Sequence, residues 1–376
     1  MTDALPSSID VLIVGAGIAG AGLAAALAPH RRVMMIEAED APGYHATGRS
    51  AAFWQETYGG PGVQPLSIAS FDLLQAPPRD FSARGFLSPR TAVNLARRED
   101  AAAVDAFAAG FAAKGVPMER MTRAGIAHVV PGIRPEWGEA AFEASCSDID
   151  VGGLHAAYLR AAKRAGAILA TRTRLTGARR IGAGWEVRLG SEAVHATLIV
   201  NAAGAWADRV AEACGAAPLG IQPYRRTVIQ LRLDFPVPAS LPLVIDIGGN
   251  FYFKGESEGR IWLSPHDETP SPPCDAAPEE LDVALAIERL RQVVDWPVAA
   301  VERKWAGLRS FAPDRLPIFG ADACVPGFIW CAGQGGFGIQ TSPAISALLA
   351  AELGASAPEG AIAGVDPTPY APSRFI

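Results

Sequence analysis

The stretch DVLIVGAGIAGAGLAAALA, residues 10–28, limits this chain's possible folds more than any other. A β-branched run, Val11 to Val14, passes through Gly15-x-Gly17-x-x-Gly20 into an Ala/Leu-rich helical segment. Each glycine meets a separate demand. Gly15 permits the tight turn, Gly17 lets a pyrophosphate approach the backbone, and Gly20 lets helix and strand pack closely. The N–H groups at the helix start are available to phosphates. A second apolar run, RRVMMIEAED, ends at Glu37, where an acid can accept hydrogen bonds from a ribose diol. An acid there disfavours a 2′-phosphate, so the unit predicts FAD or NAD binding.

The same stretch is uncharged from Val11 to Ala28, about long enough to span a bilayer. Its leader, MTDALPSSID, has acids and no Lys or Arg, the reverse of a signal-peptide start. Four glycines (15, 17, 20 and 22) interrupt it, so a buried element of a cytoplasmic protein is expected, with no membrane-spanning segment. At 376 residues and 49% hydrophobic, the chain can bury a core spread over two lobes. A net charge of −6 argues against nucleic acid as the main partner. The five cysteines are odd in number and lack C-x-x-C spacing, as expected of reduced thiols. No metal-ligand spacing and no nucleophile triad is evident.

Elsewhere, RTRLTGARRIGAGWEVRL (172–189) reads as strand, turn and strand, and AVHATLIVNAAGAWADRVAEACG (193–215) as a strand leading to a helix. Near the end, FIWCAGQGGFGIQTSPAISALLAAEL reads as a buried strand, a glycine-rich turn, and a helix begun by Thr341-Ser342-Pro343. Between them, RRTVIQLRL and NFYFK alternate like half-buried strands, and EELDVALAIERLRQVV reads as a helix. The predicted fold class is α/β: a Rossmann-like dinucleotide lobe (1–75, 145–217 and 318–365) and an α+β lobe on an antiparallel sheet (76–144 and 218–317).

With GAGIAGAG, PGYHATGRSAA, VNAAGAW, PLGIQPYRR, WAGLRSF and AGQGGFGIQTS in place, the chain resembles the D-amino-acid oxidase and glycine oxidase superfamily of flavoproteins. Within it, the resemblance is strongest to bacterial FAD-dependent D-arginine dehydrogenases, and it runs from the first strand to the last helix. It implies noncovalent FAD against Gly15, Gly17, Ile18, Ala19, Gly20, Glu37 and Ala38, with Arg49, Ser50, Ala51 and Ala52 along the cofactor. It further implies Leu175 against adenine, contacts from Ala203, Gly204 and Gly307, and Gly335, Gly336, Gly338, Ile339, Gln340 and Thr341 at the isoalloxazine end.

The resemblance makes Arg226 and Arg309 the clamp for a substrate carboxylate, a geometry that suits guanidinium groups. Tyr252 and Tyr58 match tyrosines that reach the same carboxylate, and Gly336 matches a carbonyl that receives the substrate amine. The implied reaction is oxidation of a D-amino acid to an imine, with a quinone or another carrier as electron acceptor. The alternatives are a glycine- or sarcosine-type oxidase using O2, which would release peroxide, and a noncatalytic flavoprotein subunit. The arginine-using relatives carry a His and a Thr where this chain has Phe53 and Gln55, and an acid where LSPRTAV has Ala92. Phe53 and Gln55 are therefore expected to touch substrate and favour neutral or apolar side chains, while Trp54 is expected only to pack.

Overall fold

The computed structural model describes residues 5–238, 240–256 and 259–375; the first four leader residues lie outside them. Strand Ser8–Val14 runs parallel between Val33–Ile36 and Glu192–Asn201. Ile168–Ala170 extends the sheet beyond Val33–Ile36, and Phe328–Ala332 extends it beyond the far half of Glu192–Asn201, all in parallel. Ile318–Ala321 closes that side antiparallel. The hairpin Leu175–Ile181 and Gly184–Leu189 joins the near half of Glu192–Asn201.

A parallel strand covered on both faces reads as a continuous apolar run, which is why residues 11–14 do not alternate. Val11 and Ile13 face helices Ile18–Leu27 and Gly338–Glu352 through Leu23, Leu27, Ile345 and Leu349. Leu12 and Val14 face Trp185, Trp330 and the Ala207–Ala213 helix.

Gly15 and Gly20 are set by space as well as by backbone angle. Gly15 has φ +103°, and a Cβ there would come within 2.5 Å of the Ala202 carbonyl oxygen. A Cβ on Gly20 would come within 1.9 Å of the Gly15 carbonyl oxygen.

A nine-stranded sheet forms the other lobe. Its longest pairing joins Gln222–Leu233 to Val298–Phe311 in antiparallel register. Arg260–Ser264, Tyr252–Gly255 and Leu243–Asp246 follow, then Ala92–Ala96, Glu139–Glu143 and Glu119–Met121. Helix Glu280–Val293 seals one face with Val283, Ala286 and Leu290. Phe53–Trp54 pairs with Ser147–Ile149, which also pairs with Leu87–Pro89, in a small third sheet.

The second sheet is antiparallel as expected except at one pairing, where Leu243–Asp246 lies parallel to Ala92–Ala96. One local expectation is corrected. The terminal helix starts at Gly338, with Pro343 inside it. Proline has no N–H for the Ile339 carbonyl four residues back. The Ser342 hydroxyl donates to that carbonyl at 3.0 Å, so the helix passes through.

Gly20→Ala should destabilise the protein by about 2 kcal/mol, because overpacking against a backbone oxygen outweighs alanine's helix propensity. Chemical denaturation checks this; a stability equal to wild type would contradict the close approach.

Candidate active site

Register brings the two arginines together. Arg226 lies opposite Gly307, and Arg309 lies opposite Tyr224. Cross-strand partners and residues two apart share a face, so both guanidinium groups emerge on the same side of the pair. A Cβ on Gly307 would come within 3.0 Å of Arg309 Nη1 and 3.2 Å of the Arg49 Cβ, so glycine there makes room for the guanidinium.

With Ser50, Ala51, Ala52, Phe53, Tyr58, Tyr252, Gly336, Ile339 and Gln340, Arg226 and Arg309 line a chamber of about 20 Å³. The Phe53 ring sits 4.9 Å from Tyr58 and 5.9 Å from Tyr252. Burial raises the Tyr252 phenol above its ordinary pKa, so it stays protonated even though Arg226 and Arg309 pull the other way.

The two guanidinium groups differ in what holds them. Arg226 donates from Nε to the Asp267 carbonyl at 2.8 Å and from Nη2 to Glu268 at 3.0 Å. Arg309 donates from Nη2 to the Arg49 carbonyl at 3.2 Å, while its buried Nη1 has no protein partner. Burial, reinforced by Arg226, lowers the Arg309 pKa from its ordinary value. A buried cation with an unmet N–H is costly unless a ligand supplies the acceptor.

The chamber shares Ser50, Arg309, Gly336 and Ile339 with a larger cavity of about 320 Å³. That cavity is lined by Gly15, Gly17, Ile18, Ala19, Glu37, Ala38, Arg49, Leu175, Ala203, Gly204, Gly307, Gly335 and Gly338. The two voids therefore adjoin, with these four residues as their common wall.

Several predicted residues fall elsewhere. Gly20 is committed to packing on Gly15. Thr341 turns its hydroxyl onto the Phe337 carbonyl at 3.0 Å, inside its own helix. Ala51, Ala52 and Gln340 line the small chamber and not the large cavity. Gln340 also accepts from the Gln55 N–H at 3.2 Å and donates to Ser67 Oγ at 2.7 Å, stapling the 53–58 loop to the terminal helix.

Gln55 is the main correction. Its side chain lies outside the chamber lining and donates to Glu143 at 2.9 Å. Glu143 is fully buried and also accepts from Thr57 Oγ1 at 2.7 Å and the Glu56 N–H at 3.0 Å. A buried carboxylate needs those donors, and Gln55 is one of them. Ala92 likewise misses the chamber; it packs with Phe53, Leu243 and Tyr252. Trp54 donates to the Ser67 carbonyl at 2.9 Å and packs on Phe71.

Sequence reading missed the residues that shape the cavity from a distance. Thr47 Oγ1 accepts from the Ile18 N–H at 3.0 Å, capping the first helix from 29 residues away. His155 Nε2 bonds the Ala16 carbonyl at 2.9 Å, and its ring lies against Gly43. Burial lowers the His155 pKa, consistent with a neutral ring donating to that carbonyl. Arg49 pairs with Asp275 and donates to the Ala276 carbonyl at 2.8 Å, and Tyr44 also bonds Asp275. These contacts strap the 270s loop over the cavity wall. No spacing in the sequence links His155 to Ala16 or Asp275 to Arg49, so neither contact was legible.

Glycines at the first turn, an acid at the end of the second strand and a helix N-terminus at the far end describe a dinucleotide-binding enzyme. The chain belongs to the DAO family of FAD-dependent oxidoreductases, whose family model matches residues 10–352. Its fold superimposes on glycine oxidase from Geobacillus kaustophilus with a TM-score of 0.84, at 23% identity, covering 99% of this chain and 100% of that one. L-proline dehydrogenase from P. horikoshii gives 0.84 at 21% identity, covering 99% and 98%. The hydrogen cyanide synthase subunit HcnC of Pseudomonas aeruginosa is 30% identical over 196 residues, 51% of this chain and 46% of HcnC. The chain therefore matches less than half the length of that relative.

The cofactor is FAD. The cavity fits it: a Cβ at residue 17 would crowd Thr47 Oγ1 at 3.2 Å, and Glu37 holds the turn through the Ala16 N–H at 3.0 Å. Bound there, FAD supplies a two-electron acceptor. The N-terminus of Gly338–Glu352, at Gly338 and Ile339 in the cavity wall, favours negative charge nearby. Among the described residues, no helix is long and apolar enough to cross a membrane, and no cluster of potential metal ligands is found.

Asp275→Ala should weaken FAD binding two- to fivefold, about what a partly exposed ion pair contributes. Fluorescence titration of the apoprotein checks this; an unchanged dissociation constant would remove the strap from cofactor retention.

Proposed function

We propose that the protein oxidises small, neutral D-amino acids to imines, which hydrolyse to a 2-oxo acid and ammonia, with a quinone or another carrier as electron acceptor. The observation that carries this reading is Arg309 Nη1, a buried cationic donor with no partner in the wall of a chamber adjoining the cofactor cavity. A carboxylate supplies the acceptor it lacks. In this reading Arg309 binds the carboxylate together with the Tyr58 and Tyr252 hydroxyls. Arg226 supports it electrostatically, and the Gly336 carbonyl receives the amine. The substrate lobe is the one spanning 76–144 and 218–317.

Phe53 supplies the apolar wall. Among the described residues that line the chamber there is no Asp or Glu, and the nearby carboxylate of Glu143 is engaged by Gln55, Thr57 and Glu56. A substrate guanidinium or ammonium would go unmatched, at a cost of roughly 3–5 kcal/mol. The Phe53, Tyr58 and Tyr252 rings stand close together on the chamber wall, an arrangement that favours short side chains. The D series, and a carrier in place of O2, follow the motif resemblance to D-amino-acid dehydrogenases.

Anaerobic mixing with single amino acids tests the reading. D-Alanine and short neutral D-amino acids should bleach the oxidised flavin, with D-arginine and L-enantiomers far slower. Fastest bleaching by D-arginine or by an L-amino acid would overturn it. Arg309→Met should cost roughly 2–5 kcal/mol in kcat/KM while leaving the flavin spectrum intact. Arg226→Met should cost less, because part of its fork already serves Asp267 and Glu268. Equal losses would contradict that division of roles.

A further inference from the structure

We infer that Glu268 restricts the chamber to ligands bearing a single carboxylate. This deepens the proposed function and rests on it.

The charged groups around the arginine pair are few. Glu268 accepts from Arg226 Nη2 at 3.0 Å and from Arg315 Nη2 at 2.7 Å. Asp267 accepts from the Thr227 N–H at 2.7 Å and Oγ1 at 3.0 Å; burial raises its pKa above the ordinary carboxylate value, against the pull of those bonds and of Arg226. Neighbouring Arg225 is held by Glu279 and Asp282, and Arg49 by Asp275. His266 lies edge-on to Tyr252 and bonds the Gly249 carbonyl at 2.8 Å. Burial, with Arg226 nearby, pushes its pKa down to about 3, so it adds no charge.

Among the described residues that line the chamber, that leaves Arg309 as the cation with no acid bonded to it. One carboxylate completes the set. A second would enter a buried site whose other guanidinium already faces Glu268, and like charges in such a site repel strongly. Glu268 stays at the solvent side and does not line the chamber, so it acts through Arg226 as a positioning residue. Neutralising it removes the negative charge facing Arg226, so that guanidinium can balance a second carboxylate.

The test uses the FAD-loaded enzyme and non-reacting acids. Acetate and malonate are titrated at low ionic strength, and binding is followed by the change in flavin absorbance. Wild type should bind acetate more tightly than malonate. Glu268→Gln should raise malonate affinity relative to acetate on the order of tenfold, and D-aspartate should begin to bleach the flavin. Glu268→Asp, which keeps the charge and changes the shape, should preserve the wild-type preference. A ratio unchanged in Glu268→Gln, or moved as far by Glu268→Asp, would overturn the inference and leave the amino-acid reading standing. No spectral response to either acid in wild type would instead remove the carboxylate clamp, and both readings with it.

Discussion

Between Gly20 and the carbonyl of Gly15 there is no room for a single carbon atom, and the cofactor cavity is laid out around that contact. Backbone-on-backbone packing presses the first helix against the first strand and leaves its N-terminus open along the cavity. Thr47 can then reach the Ile18 N–H, and His155 can reach the Ala16 carbonyl, from loops and helices remote in sequence. Both contacts fix the 43–49 segment, which carries Arg49 to the other lobe. A bulkier residue 20 would lift the helix and detach this set in turn.

The 53–58 segment is held from two sides. Gln340 bonds its backbone from the terminal helix, and Glu143 gathers Gln55, Thr57 and the Glu56 N–H from the second sheet. Phe53 and Tyr58 are thereby fixed beside two buried guanidinium groups, whose like charges stay close because Glu268 and backbone carbonyls attend them. The chamber is apolar on one wall and cationic on the other. That division matches a small amino acid with its carboxylate at one end.

Local sequence carried the central sheet well, because Gly15 and Gly17 act within one turn and Glu37 directly follows the strand paired beside them. The arginines were legible through their motifs, and their shared face follows from strand register. Gln55 was misread because position along a loop does not say which way a side chain turns; a buried carboxylate 88 residues away decided it. The terminal helix was started late because Ser342-Pro343 resembles a cap, and the rescue of the Ile339 carbonyl by the Ser342 hydroxyl is a three-dimensional detail. The role of Glu268 depends on Arg315 and Arg226 meeting across unrelated segments, which no pattern announces.

The interleaving of the two sheets also governs how the chain can be made. Glu192–Asn201 waits for Phe328–Ala332, and Gln222–Leu233 waits for Val298–Phe311. During synthesis at about 5–20 residues per second, open strand edges persist for seconds to tens of seconds before their partners leave the ribosome. The second sheet has all its strands once Phe311 is made, whereas the first still waits for Ile318–Ala321 and Phe328–Ala332. Flavin capture therefore follows synthesis of that last pair, and a stop before it leaves the cofactor lobe's sheet unsealed.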